Sequence, residues 1–187
     1  MKSTGYHVAL LRGINVGGKN MLPMKDLTKM FTDAGCSDVR TYIQSGNVVF
    51  RAQDAVARRV PALVSNAIAK RFQFQAPVQT RSAEEIRAIA TGNPFLKKGT
   101  DTDLLHVAFL ASAPASAQVA ALDPKRSPPD EFVVQKREVF LRLPNGVAKT
   151  KLTNAYFDSK LGTVSTLRNW RTVLALLELA SAGAPIG

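Results

Sequence analysis

Apolar residues fall into two kinds of run along this chain, and their alternation predicts its elements. Residues 6–12 hold the short apolar run His-Val-Ala-Leu-Leu, closed by Gly13, which reads as a strand. A glycine-rich loop follows. Pro23 suits the first turn of a helix, where its missing N–H is not needed. Met24, Leu27, Met30 and Phe31 then recur at helical spacing, and Gly35 stands where a helix ends. Residues 38–43 predict a second strand with Val39, Thr41 and Ile43 on one face. Ser45-Gly46-Asn47 predicts a turn and residues 48–51 a third strand, so this stretch reads as a hairpin. Residues 55–72 predict a helix with Val56, Val60, Leu63, Val64, Ala67 and Ile68 inward. Pro61 inside it implies a kink or a later start. Residues 78–81 give a fourth strand, and the order βαββαβ is that of a ferredoxin-like unit.

The second half repeats the pattern. Ser82 followed by Glu85 predicts a capping box opening a helix that ends near Gly92. Residues 104–111 are a strongly apolar strand and residues 114–122 a helix. A loop over 124–130 contains Pro128-Pro129. Residues 132–135 and 139–143 pair around Lys136-Arg137-Glu138, and residues 144–146 make a turn. A helix over 152–161 closes at Gly162, and residues 163–165 give a short strand. A last helix over 168–180 carries Trp170, Val173, Leu174 and Leu177 on one face. The expected class is α+β: two tandem ferredoxin-like (βαββαβ) subdomains with an extra C-terminal helix. The first subdomain spans 1–81. The second spans 82–187 with a linker helix and the C-terminal helix.

Composition narrows the chemistry. A chain of 187 residues, 45% hydrophobic and 21% charged, is large enough to bury a substantial core. Cys36 is its one cysteine, and His7 and His106 are its two histidines, so a disulfide framework, a thiolate zinc site and any other metal centre are not expected. No cofactor motif is read. No secretory leader and no membrane-spanning run are read either, so a cytoplasmic protein with no membrane partner is expected. The net charge is +11. It is unevenly spread: residues 82–124 hold Arg87, Lys97 and Lys98 against Glu84, Glu85, Asp101, Asp103 and Asp123, so the excess lies elsewhere and reads either as a functional basic face or as charge that only keeps the chain soluble.

The glycine loop is the first candidate site. Residues 13–19 fit G-x-x-x-x-G-K, but Asn20 stands where a P-loop needs Ser or Thr for magnesium. Pro23 also puts the helix too late for its first N–H groups to meet a phosphate, so nucleotide triphosphatase chemistry is set aside. The spacing also fails G-x-G-x-x-G. The loop then reads either as a turn needing positive φ or as an anion nest lined by Arg12, Gly13, Asn15, Gly17, Gly18 and Lys19. Tyr42, Gln44, Ser45 and Asn47 gather at the hairpin as a second cluster. Phe50 is expected in the core, which disfavours base stacking on the sheet face. Lys151 and the pair Arg168 and Asn169 form further clusters. Thr150 and Thr166 are expected to cap the helices after them, and Lys149, Lys151, Arg168 and Arg171 would then oppose those helix dipoles. Trp170 is expected in the core. No nucleophile–base team and no paired carboxylates stand out.

Leu-Leu-Arg-Gly-Ile-Asn-Val-Gly-Gly from Leu10, Met24 and Leu27, Thr41-Tyr-Ile-Gln-Ser-Gly-Asn-Val-Val-Phe50, Asn93-Pro-Phe95, Lys151-Leu-Thr153 and Thr166-Leu-Arg-Asn-Trp-Arg-Thr172 together resemble domain-of-unknown-function family 1697. The resemblance runs over nearly the whole chain. It implies two ferredoxin-like α+β subdomains and a shared polar, glycine-rich site, and no established activity. The leading expectation is a protein binding an anionic ligand, nucleic acid or a phosphorylated small molecule, at the Gly13 loop with the Ser45 turn and the Arg168 segment. One alternative is an enzyme on a small phosphorylated or carboxylated substrate held by Arg12, Asn15, Asn47 and Arg168. The other is a non-catalytic interaction protein forming homodimers through a sheet edge or the apolar C-terminal helix. The expected state is a monomer or weak homodimer.

Overall fold

In the computed structural model, residues 4–97 and 99–182 are described. The chain is α+β, with two four-stranded antiparallel sheets and, among the described residues, seven helices. Its contacts group it into two compact units, Met1–Ile89 with Ala175–Gly187, and Ala90–Leu174. No helix among the described residues is long and apolar enough to cross a membrane.

The first unit holds β1 (Thr4–Leu11), α1 (Met24–Asp33), β2 (Ser37–Tyr42), β3 (Asn47–Gln53), α2 (Asp54–Ala57), α3 (Val60–Phe72), β4 (Val78–Ser82) and the first part of α4 (Ala83–Gly92). Its sheet runs β2-β3-β1-β4. β1 is central because it has antiparallel neighbours on both edges, with His7 opposite Phe50 on β3 and opposite Ser82 on β4. Alternate residues of β1 and β3, Ala9, Leu11, Val48, Phe50 and Ala52, turn to the helices. There they bury Leu27, Met30 and Phe31 of α1 and Val60, Val64 and Ile68 of α3. Phe31 and Phe50 meet with ring centroids 5.2 Å apart, and His7 stacks on Phe50 at 5.5 Å.

The second unit holds the rest of α4, a 3-10 turn (Thr102–Leu104), β5 (Leu105–Leu110), α5 (Ser116–Ala120), β6 (Glu131–Gln135), β7 (Glu138–Arg142), α6 (Asn154–Leu161), β8 (Ser165–Asn169) and the start of α7 (Trp170–Ser181). Its sheet runs β6-β7-β5-β8, and Ala108, Leu110, Val139, Leu141, Phe157 and Leu161 form its core.

Pro61 resolves as a later helix start: the chain breaks between α2 and α3, and the proline sits in the first turn of α3. Ser82 makes the expected capping box, its Oγ accepting from Glu85 N at 3.1 Å while Ser82 N donates to Glu85 Oε2 at 2.8 Å. Four expectations change. Leu63 and Leu174 are 38% and 45% exposed rather than inward, and the core face of α7 runs instead through Trp170, Val173, Leu176 and Ala180. α6 starts at Asn154 and is capped by Thr153, whose Oγ1 accepts from Tyr156 N. Thr150 lies before it, buried, with Oγ1 accepting from Leu152 N. Thr166 is a strand residue, because β8 continues to Asn169 wherever β5 offers a partner. Asn169 caps α7, its Oδ1 accepting from Thr172 N at 2.8 Å. Arg168 is therefore on a strand and Lys149 and Lys151 precede the helix. Of the four cations read against helix dipoles, Arg171 alone sits in a first turn, paired with Asp103 at 3.3 Å.

On the outer part of the first sheet, Tyr6 and Arg40 both donate to Asp38. These bonds, with Arg40 first, bring the Asp38 carboxyl down to about 2. A carboxyl depressed in the fold stabilises it above its unfolded pKa, near 3.9, and that contribution disappears as pH falls through the folded value. Stability should therefore drop between about pH 4 and pH 2 more steeply in the parent than in Asp38→Asn, read by urea denaturation across that window. At neutral pH, Ser82→Ala should lower unfolding free energy by about 1 kcal/mol, measured in the same way.

Candidate functional site

The loop after β1 is fixed at its base by both neighbours of that strand. Leu11 N donates to Gly46 O at 2.8 Å, and Arg12 N donates to Pro77 O at 3.0 Å. The chain then forms a miniature hairpin. Asn15 N donates to Asn20 O and Lys19 N to Val16 O, leaving Gly17 and Gly18 as the two central turn residues at φ 57 and 73. A two-residue turn with positive φ at both centres is the kind that suits Gly-Gly. Two asparagine side chains hold this hairpin in place. Asn15 Nδ2 donates to Leu22 O and Gln44 O, both at 3.0 Å, while its Oδ1 accepts from Leu22 N at 2.7 Å. Asn20 Nδ2 donates to Gly13 O at 2.8 Å.

The Ser45 turn meets the same loop. Gly46 lies so close to Leu11 that a Cβ added to it would stand 2.7 Å from Leu11 Cβ, and its φ is +80, so this position needs glycine. Asn47 is fully buried, and its Nδ2 donates to Ser45 Oγ at 2.9 Å and to Tyr42 O at 3.3 Å. Ile43 adopts φ +49, a conformation rare for a β-branched residue, with its side chain 56% exposed.

The structure thus brings together Arg12, Gly13, Asn15, Gly17, Gly18 and Lys19 with Tyr42, Gln44, Ser45 and Asn47 in one unit. Among them, Asn15 and Asn47 use their carboxamides to brace the two turns. Gly17, Gly18, Lys19, Gln44 and Ser45 are exposed, as are Val16, Met21 and Ile43 beside them. Lys151, Arg168 and Asn169 belong to the other unit. Lys151 is exposed, and its N–H donates to Ser127 Oγ at 3.0 Å. Arg168 donates through Nη1 to Leu167 O at 2.9 Å, and burial brings its guanidinium down to about 10. Trp170 and Phe50 are core residues. Burial raises the Cys36 thiol to about 11, which makes a thiolate there unfavourable.

The family model described as a protein of unknown function, DUF1697, matches residues 5–140. The chain belongs to the DUF1697 family. The matched span includes the Gly13 loop and the Ser45 turn of this DUF1697 member, while Lys151, Arg168 and Asn169 lie beyond it. A solved structure, described as a conserved bacterial protein from Streptococcus pneumoniae, is similar with a TM-score of 0.73. The likeness covers 95% of this DUF1697 chain and 99% of that chain at 24% identity, and it shows the shared fold. Comparison with curated proteins returns no match.

Three residues of this DUF1697 chain, Thr102, Asp103 and His106, stand outside the candidate site residues read from the sequence and join Asn169, which is one of them. Thr102, Asp103, His106, Asn169, Trp170 and Arg171 line one cavity in the second unit. The available signal was the repeat of His7-Val-Ala in His106-Val-Ala, each placing a histidine opposite the last residue of an edge strand.

Removing the Asn15 carboxamide leaves the Leu22 and Gln44 backbone groups without it. Asn15→Ala should cost about 1–3 kcal/mol and expose the Leu22 amide to hydrogen exchange, while the amides of β1 keep their protection, as followed by NMR exchange.

Proposed function

We propose that this protein binds nucleic acid across the exposed face built by the Gly13 loop and the Ser45 turn. The observation that carries this reading is the pairing of a braced backbone with an open surface. Residues 16–21 and 43–45 are all exposed, yet hydrogen bonds from Asn15, Asn20 and Asn47 hold the turns beneath them. A small phosphorylated ligand is normally held by an enclosing pocket, whereas an open, preformed face suits a polymer. Lys19 at the tip and Arg12 at the base supply positive charge for phosphates. Val16, Met21 and Ile43 supply apolar surface that can lie against bases or sugars. The strained backbone of Ile43 supports a functional use of that position. The net charge of +11 favours the same class of partner. Lys151, exposed on the second unit, is a further candidate contact.

The finer architecture belongs to this reading. The element order βαββαβ and the sheet orders β2-β3-β1-β4 and β6-β7-β5-β8 support two tandem ferredoxin-like subdomains, 1–81 and 82–187. The protein would act in the cytoplasm, as a monomer or weak homodimer.

Fluorescence anisotropy with a mixed-sequence single-stranded RNA tests the reading. Binding should weaken linearly on a log–log plot against salt, and Lys19→Ala should reduce that slope by about 1. Absence of binding at low salt, or a Lys19→Ala variant with an unchanged slope and affinity, would overturn it.

A further inference from the structure

The second unit carries a site of a different character. Where β8 ends and α7 begins, Thr102, Asp103, His106, Asn169, Trp170 and Arg171 surround a cavity of about 250 Å3. That is smaller than the pockets that take drug-sized molecules, so its ligand has few atoms. His106 is buried, with 7% exposure, and it stands directly across from Asn169 in the β5–β8 ladder. Its Nδ1 lies 3.3 Å from Leu104 O. A carbonyl can only accept, so the ring proton sits on Nδ1 and Nε2 presents a lone pair. Among the described residues, Nε2 accepts no hydrogen bond. The ring lines the cavity, where Nε2 can take a hydrogen bond from a ligand's donor.

The other lining groups are complementary to a carboxylate. Asn169 uses Oδ1 to cap α7, which leaves its NH2 group as the half able to donate to a ligand. Arg171 Nη2 lies 3.3 Å from Asp103 Oδ1, and both side chains are more than 70% exposed, so the pair is weak enough for either partner to turn to a ligand. The backbone N–H groups that open the 12-residue α7 favour negative charge at the same place. Donors therefore come from Arg171, Asn169 and the helix start, and acceptors from His106 Nε2 and Asp103. Asp103 makes the cavity a poor host for a polyanion, which separates it from the loop face of the first unit.

We propose that this cavity binds a small carboxylate carrying a hydrogen-bond donor on the neighbouring carbon, an α-amino or α-hydroxy acid. The carboxylate sits at Arg171 and the start of α7, and the donor meets His106 Nε2 or Asp103. Buried Trp170 supplies an apolar wall.

The experiment is a titration of the full-length 15N-labelled protein with L-alanine, L-lactate and propionate, followed by amide shifts. Saturable shifts at Asp103, His106, Asn169 and Arg171 are expected with alanine or lactate. Propionate, which lacks the donor, should bind about tenfold more weakly or worse. A preference for alanine assigns the ammonium to Asp103, and a preference for lactate assigns the hydroxyl to His106; both support the site. Where lactate is preferred, His106→Phe should abolish the discrimination against propionate, and where alanine is preferred, Asp103→Asn should. Should the variant used not fold, Arg171→Gln, at an exposed position, should weaken every bound carboxylate while leaving the amide spectrum of the first unit unchanged. No saturable shift with alanine or lactate up to their solubility, or propionate binding as tightly as either, would overturn the proposal.

Discussion

Each unit depends on a central strand that is bonded along both edges to its very end. In the first unit, the last bonds of β1 run from Leu11 N to Gly46 O and from Arg12 N to Pro77 O. In the second, the last bonds of β5 run from Leu110 N to Arg137 O and from Ala111 N to Val164 O. A buried backbone amide needs a partner, so a strand with two neighbours leaves its sheet at a fixed point and in a fixed direction. In the first unit that constraint delivers the glycine loop directly against the Ser45 turn. The contact is close enough that Gly46 has no room for a side chain. The face proposed to bind nucleic acid is thus a consequence of how β1 ends.

The chain leaves its central strand by different routes in the two units. After β1 it makes a hairpin whose asparagines are spent on backbone groups, which turns polar residues into scaffold and leaves the tip exposed. After β5 it passes through Ser112, whose N–H and hydroxyl both bond Thr163, and goes on into the short helix α5. At the other end of each central strand the units are alike. His7 faces Ser82 and His106 faces Asn169, and Ser82 and Asn169 each cap the helix that begins at the next residue. Burial lowers the pKa of both histidines, which disfavours their charged forms. They differ in surroundings: His7 Nε2 is enclosed and lies 3.8 Å from Asp54, whereas His106 lines a cavity.

Local chemistry made several elements legible without the fold. The apolar run of β1, the Ser82–Glu85 capping box, the glycines ending α1 and α6 and the amphipathic stripe of α1 each arise from neighbours a few residues away, and each appears where the residue pattern puts it. The glycine loop and the Ser45 turn were also legible as polar, glycine-rich stretches. The use of individual side chains could not be read. An asparagine that binds a ligand and one that braces a turn are identical in sequence, and Asn15 and Asn47 are told apart from ligand residues by acceptors 29 and 5 positions away. The cap of α7 was misplaced at Thr166 for a similar reason. Thr166, Arg168 and Asn169 have no strand-like run of their own, and their conformation comes from pairing with β5, a partner about sixty residues earlier.

By itself, then, the sequence determined the α+β class, the order of strands and helices and the membership of the DUF1697 family, because periodicity, caps and turn residues act over a few positions. Tertiary structure decided which strand is central in each sheet, which polar groups are spent holding loops, and that His106 shares a cavity with Asp103 and Arg171. Those outcomes rest on hydrogen bonds and packing between residues far apart in the chain, where the identity of one partner says nothing about the other until the backbone brings them together.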